Sequence, residues 1–431
     1  MPRGIDAFRS ALLAAVLMAA PARADVLVTT LDRPEPVRGI SLTLDARTTV
    51  VHSAQGEETR VDTERIIEIA TVPAPPASPG ATRPFEIELA CGSRVRGKLL
   101  GPGSGVELLS MASPVLQEAE DLAIPFDILR AVHRVDETGV TGASRILRVP
   151  GQDSAYYLTG SRVEGTLARF TPTGVEIARE GDLGRAALPY DQLAALFIDN
   201  EPLPPPAGLH ATARLVDGSV LILAKGFKVM GGQLRGETAS GLSVRLNMSR
   251  LESLGLQGGA FAHLSDFAPK EVVREPFFPV PDGPAREAVL DFVCPVRMDR
   301  SPDDRPITLR GQRYHKGVGV RPTTEITWEL PHPCSAFEAL VGIDDEVLGT
   351  GYGRGAGTGS VVFVVKVDGK EAWRSKRVEG GQPPVPVRVS LEGGKTLTLA
   401  VRLVPSELMP KGIPDSPELD NAVWARPLLV R

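Results

Sequence analysis

Aromatic residues make up only 5% of this 431-residue chain, and it has three cysteines and six histidines. A transmembrane helix needs about 20 successive apolar residues. The run from Ala11 to Ala20 is about half that, and nothing later in the chain is longer and as apolar. The histidines (His52, His133, His210, His263, His315, His332) show neither His-x-x-x-His nor His-Glu-x-x-His spacing, which argues against a zinc protease. No cysteine pair has Cys-x-x-Cys spacing, and three cysteines do not make a disulfide framework. Cys294 and Cys334 are read either as a bridge formed after export or as two buried thiols; Cys91 has no partner. The net charge of −5 carries no clustered excess of Lys and Arg, so nucleic acid is not an expected partner.

What is present begins with an export signature. Arg3 and Arg9 precede the short apolar run, and Ala22-Arg23-Ala24 has the small-x-small pattern of a cleavage site, predicting a cut after Ala24. Removing residues 1–24 takes away three arginines and one aspartate and moves the net charge from −5 to −7. The expected location is secreted, periplasmic or cell-surface, with no transmembrane segment. Gly (44) and Pro (38) are abundant, as many short strands joined by tight turns require, and the length calls for several domains.

A nine-residue pattern recurs four times, starting at Val61, Ile124, Leu188 and Leu246, with apolar residues at its first, sixth and ninth positions. Upstream of each comes a turn and strand: Gly92-Ser93-Arg94-Val95-Arg96-Gly97, Gly160-Ser161-Arg162-Val163-Glu164-Gly165, Asp217-Gly218-Ser219-Val220, and a weaker Val37-Arg38-Gly39-Ile40. Phe85 to Leu89 alternates apolar and polar residues, as a half-buried strand does, which puts Glu86 and Glu88 on its solvent side. The second glycine of the signature marks a sharp bend where a side chain would clash. The fourth copy has Leu223 there. Each unit resembles a small curled sheet of SH3-like or Sm-like type. Proline-rich stretches at 71–84 and 200–208 read as stiff spacers.

The last third carries Gly311-Gln312-Arg313-Tyr314-His315-Lys316-Gly317-Val318-Gly319-Val320, then Val341-Gly342-Ile343-Asp344-Asp345, the strand Val361 to Lys370, and Trp424-Ala425-Arg426-Pro427-Leu428-Leu429. This ordered set resembles the NPCBM family (carbohydrate-binding module family 51), noncatalytic modules with a galactose-binding-like β-sandwich. The resemblance implies a jelly-roll sandwich at 263–431; with the leader at 1–24 and the β repeats at 25–72, 85–140, 150–200 and 209–260 read from the patterns above, the whole is expected to be all-β. The resemblance also implies a carbohydrate partner. Two departures stand out: Arg321 occupies a position where the family commonly has His, and Val423 one where it often has an acid.

Candidate sugar contacts on this reading are His315, Lys316, Arg321, Asp344, Asp345, Tyr352 and Trp373. The acidic run Asp344-Asp345-Glu346 has three readings: acceptors for sugar hydroxyls, a structural calcium site at Asp344 and Glu346, or a solvated turn. The run Gly349 to Gly359 has Gly at every second position but lacks the Gly-Lys-Ser/Thr ending of a phosphate loop. It is read as a hairpin loop or as a flap with Tyr352 and Arg354 as contacts. Trp328 and Trp424 are expected in the core, and Trp373 partly exposed. Three functions follow: an exported noncatalytic carbohydrate-binding protein, an envelope scaffold whose sandwich no longer binds sugar and whose domains, the β repeats among them, bind envelope proteins, or an accessory part of a glycoside hydrolase system.

Overall fold

The computed structural model describes residues 25–33, 35–72, 85–103, 107–113, 116, 121–135, 148–179, 181, 184–276, 278–331, 333–349, 359–405 and 420–431. The leader, most of the first proline-rich stretch, His332, Tyr352 and Arg354 lie outside them. Two compact units result, one of residues up to 206 with 210–256, the other of 207–209 with 257–431. Among the described residues no helix is long and apolar enough to cross a membrane.

In the first unit every repeat follows one plan. In the second repeat it runs Phe85–Leu89, Arg94–Pro102, Leu108–Ala112, Leu122–Pro125, a 3-10 turn at Phe126–Ile128, and Leu129–Arg134. The nine-residue pattern is the turn and the strand ends on either side of it. In the first and fourth copies its second position caps the turn: Asp62 accepts from Glu64 N at 3.0 Å, and Asn247 from Ser249 N at 2.9 Å. Its sixth and ninth positions are buried in all four copies, while Val61 alone among the first positions is only partly buried.

The ninth residue sits where each repeat closes on itself. Ile69 pairs with Val28, Val132 with Ile87, and Leu196 with Ala155, so last and first strands are neighbours. The same residues also join repeats to one another: Leu254 pairs with Ile69, and Val132 with Leu196. Repeat one therefore pairs with four and repeat two with three. The expectation of modules strung on spacers gives way to interlocked sheets, because each closed edge still exposes backbone groups that another edge can satisfy.

The second glycine of the signature is a corner. Gly97 pairs with Phe85, whereas the next residue, Lys98, pairs with Ala112 in a different sheet. Gly165 does the same between Asp153 and the partner of Thr166, Ala178. A Cβ at Gly97 would sit 2.4 Å from Ala112 O, and one at Gly165 2.1 Å from Ala178 O. In the fourth repeat, with Leu223 at this position, the strand breaks into Val220–Leu223 and Lys228–Met230.

Glu86 departs from expectation. It is 3% exposed and held by Arg96 Nε at 2.7 Å, since this face of repeat two packs on repeat four, where Arg96 also donates to Asp217 O at 3.3 Å. Glu88 is partly buried between Arg130 and His133, and the His133 hydrogen bond holds its carboxyl below the usual range.

The second unit is a sandwich of two antiparallel sheets. One orders Val296–Met298, Gly317–Val320, Ala422–Val430, Ala336–Ile343 and Val385–Ser390, with Phe261–His263 also on Ala422–Val430. The other orders Glu271–Arg274, Thr324–Glu329, Thr396–Leu403, Ser360–Val367 and Lys370–Arg374, with Val378–Glu379 also on Ser360–Val367. Trp328, Phe337, Phe363 and Trp424 fill the space between, and Trp424 meets Phe363 edge-on at 5.1 Å. Cys294 and Cys334 are both free. Cys294 lies beside the Val296–Val320–Ile343 end of the sheet and Cys334 beside the Ala336 end, an eight-residue strand away. At about 3.3 Å per residue that far exceeds the roughly 7 Å a disulfide can span.

Candidate functional site

Three strand ends meet at one edge of the sandwich. Val320 and Ile343 both pair with Ala422, so Arg321, Asp344 and Asn421 emerge side by side. Arg321 engages all three guanidinium nitrogens there. Nε donates to Asn421 Oδ1 at 2.9 Å, one terminal nitrogen donates to Phe292 O at 3.3 Å, and the other pairs with Asp303. The amide of Asn421 then donates to Asp303 Oδ2 at 3.1 Å and to Glu346 Oε1 at 2.7 Å. Ser301 Oγ donates to the second Glu346 oxygen at 2.8 Å. Donors and acceptors are thus fixed in one planar-group network, with the Asp303 side chain 41% exposed at its rim.

Asp303, Asn421 and Ser301 were not among the sequence candidates. They lie in irregular backbone with no periodic signal, and chain separations of up to 118 residues keep their convergence from any local pattern. Phe292 was missed too. It ends the helix Arg286–Val293, whose Leu290 is buried, yet its own ring is 82% exposed next to the carbonyl that receives Arg321. A large aromatic so exposed is a signal only once its neighbours are known.

The acidic run is structural in its geometry. Asp344, 1% exposed, accepts from Thr308 N at 2.9 Å and Glu346 N at 3.1 Å. Asp345 accepts from Arg310 N at 3.0 Å and Gly311 N at 2.7 Å, fastening the hairpin Ile307–Leu309/Gln312–Tyr314. Burial pushes the Asp344 carboxyl up to about 7 despite those amides. Burial also raises Glu346, against the opposing donors Ser301 and Asn421.

Both oxygens of Asp344 and both of Glu346 already receive N–H or O–H donors. Among the described residues no group of three or more His, Cys, Asp or Glu is placed to hold a metal.

The remaining candidates lie elsewhere. His315 and Lys316 precede the far end of strand Gly317–Val320, where Gly317 pairs with Ala425. Lys316 is engaged with Asp266 and with Asp299 Oδ2 at 2.7 Å; burial pushes its ammonium down, but these two carboxylates outweigh it and the net shift is upward. Trp373 belongs to the opposite sheet, pairs with Val365 and packs partly buried against the core.

A family model falls within this unit. Residues 284–429 match the family model described as NPCBM/NEW2 domain. A curated Renibacterium salmoninarum protein, provisionally named endo-alpha-N-acetylgalactosaminidase, is 33% identical over 102 residues, which are 23% of this chain and 6% of that one. The chain therefore spans only a small fraction of that relative's length. Among solved structures, CBM51 from Clostridium perfringens GH95 in complex with methyl-galactose is 24% identical and covers 39% of this chain and 99% of its own, with a TM-score of 0.29. CBM51-2 in complex with GlcNAc, with the INT domains of Clostridium perfringens ZmpB, is 20% identical over 48% of this chain and 37% of its own, with a TM-score of 0.30. The C-terminal part of this all-β chain, residues 284–429, is an NPCBM/NEW2 domain.

Proposed function

We propose that the protein is an exported, noncatalytic carbohydrate-binding protein whose sandwich holds a sugar at the Arg321–Asp303–Asn421 edge. The observation that carries this reading is the network itself. The Asp303 carboxylate, 41% exposed and held in place by Arg321 and by the buried Asn421 amide, is set to accept from sugar hydroxyls with little ordering cost on binding. The exposed ring of Phe292 beside it supplies an apolar face against which a pyranose can stack. Affinity would come from these contacts alone, with no activated nucleophile and no bond broken. The relatives named for methyl-galactose, GlcNAc and N-acetylgalactosamine chemistry make galactosides and N-acetylhexosaminides the first ligands to try.

The test is a glycan array followed by calorimetry on the full chain. Binding should be lost in Phe292→Ala and in Asn421→Ala while melting of the protein remains cooperative. A blank array across neutral and acidic glycans at millimolar concentration sinks the reading, and turnover of a chromogenic glycoside overturns its noncatalytic part.

A second reading has its own support. Each nitrogen of Arg321 is already engaged within the protein, as suits an edge serving protein assembly at the envelope rather than a ligand. A pull-down from an envelope fraction that recovers partners, unaffected by competing sugars, would favour it.

A further inference from the structure

The six-stranded sheet formed by repeats one and four carries a row of cations on its outer face. Lys228 pairs directly with Arg235, and Arg235 with Arg245, on three adjacent strands. All three side chains are exposed. Adjacent strands stand about 4.7–4.9 Å apart, and like charges placed directly opposite each other destabilise a sheet. Among the described residues no carboxylate forms an ion pair with any of the three, and the one side-chain hydrogen bond in the row runs from Arg235 to Gln233 Oε1 at 2.7 Å. The nearest acids on that face are otherwise placed. Glu237 lies one step along the strand opposite Ser243. Asp45, at the end of the neighbouring strand, accepts from Arg47 N and Thr48 N, each at 2.8 Å.

The other repeats show that the fold does not require this row. The same positions hold Thr43, Val50 and Arg60 in repeat one, and Gly101, Ser110 and Ala123 in repeat two. In repeat three they hold Arg169, Glu176 and Ala187, and there Glu176 neutralises Arg169 at 2.9 Å and Arg185 at 3.4 Å. Only repeat four stacks three cations without an acid between them, on a chain whose overall charge is −5. Asp45, opposite Lys228 in this register, caps one end of the row but pairs with none of its cations, so a ladder that costs stability is left suited to an anion from outside.

We propose that Lys228, Arg235 and Arg245 form a second binding site, for an acidic polysaccharide laid across the strands with its anionic groups on successive cations. The choice of polysaccharide over another polyanion rests on the carbohydrate reading of the sandwich; the site itself does not.

The experiment measures binding of the full chain to polygalacturonate, dextran sulfate, neutral dextran and a deoxythymidine oligonucleotide at low and high salt. The variant Lys228→Gln/Arg235→Gln/Arg245→Gln is run in parallel. The expected result is salt-sensitive binding to polygalacturonate or dextran sulfate but not to dextran, weakened at least tenfold in the triple variant. Preference between the two polymers separates carboxylate from sulfate. The variant's melting temperature should be unchanged or higher, since removing mutual repulsion cannot weaken the sheet, whereas a merely structural role would lower it. Absence of binding to both acidic polymers, equal binding by the variant, or tighter binding to the oligonucleotide overturns the proposal. Neutral-sugar binding lost in Phe292→Ala is read on the same protein, so each site can fail without the other.

Discussion

Ser93 and Ser219 occupy the same position in repeats two and four, and each accepts a hydrogen bond from the backbone of the other's strand. Ser93 Oγ receives Ile222 N at 2.8 Å and Ser219 Oγ receives Arg96 N at 3.0 Å, the donor lying three residues after the serine of its own repeat. Both serines are fully buried. Two edges that would otherwise present bare amides are thereby closed reciprocally, which explains why the turn signature carries serine there as well as glycine.

Removing either hydroxyl should leave one buried amide without a partner. A buried unsatisfied donor costs about 1–3 kcal/mol, so Ser93→Ala should speed hydrogen exchange at Ile222, and Ser219→Ala at Arg96. Exchange measured by mass spectrometry on peptides from these strands checks it. Ser161→Ala, at the matching but exposed position of repeat three, should change nothing; an equal effect there would refute the assignment.

The corner glycines lead to a second expectation. At Gly165 an added Cβ meets Ala178 O and C, backbone that cannot move aside, and its φ of +155° is one that side chains rarely adopt. Gly165→Ala should cost about 3 kcal/mol or more by combined overpacking and strain and sharply reduce soluble yield. Gly160→Ala has open space around it and should cost about 1 kcal/mol from its positive φ alone. Chemical denaturation of the two variants side by side decides this.

What could be read in the sequence was what is local. Gly97 and Gly165 announced bends, the sixth and ninth apolar positions announced the core, Trp328 fell where strand alternation put it, and Trp424, expected in the core, is there. The pairing of repeat one with four was not legible, because Ile69 and Leu254 carry no mark of each other across the chain. Burial of Glu86 follows from another long-range contact, repeat two on repeat four, since alternation tells which face a residue takes but not whether another sheet covers it. At the sandwich edge Arg321 and Glu346 were among the candidates, while their intermediaries Asp303 and Asn421 were silent. Polar residues in irregular backbone acquire meaning only from long-range register.

Lys316 illustrates the difference between a candidate and a contact. Its ammonium bridges Asp266 and Asp299, which are 42% and 32% exposed in their side chains, while its own is 20% exposed. Breaking a part-buried pair by removing one partner should cost about 1–3 kcal/mol, less than the 3–5 of a fully buried one. Lys316→Met should therefore lower the melting temperature while leaving sugar affinity intact. Calorimetric titration at a temperature below both transitions separates the two outcomes, and a loss of affinity in a stable variant would return Lys316 to the binding site.

The last expectation concerns pH. Burial raises the Asp344 carboxyl to about 7 in the folded protein, against about 3.9 for an unfolded aspartate. Between those values the native state holds a proton the unfolded chain has released, so stability falls as pH rises through the window and the contribution is gone above it. The slope from one such group is at most about 1.4 kcal/mol per pH unit. His263 works in the opposite sense: burial lowers it to about 3, so stability falls as pH drops below the unfolded histidine value. Comparing wild type with Asp344→Asn cancels the histidine. The amide keeps an acceptor for one of Thr308 N and Glu346 N and turns a donor toward the other, so the variant should be less stable at pH 5. It has no proton to lose, so the gap between the two proteins should narrow steadily toward pH 8. Denaturation curves at four pH values across that range test the argument, and a gap that stays constant would show that Asp344 is ionised in the fold throughout.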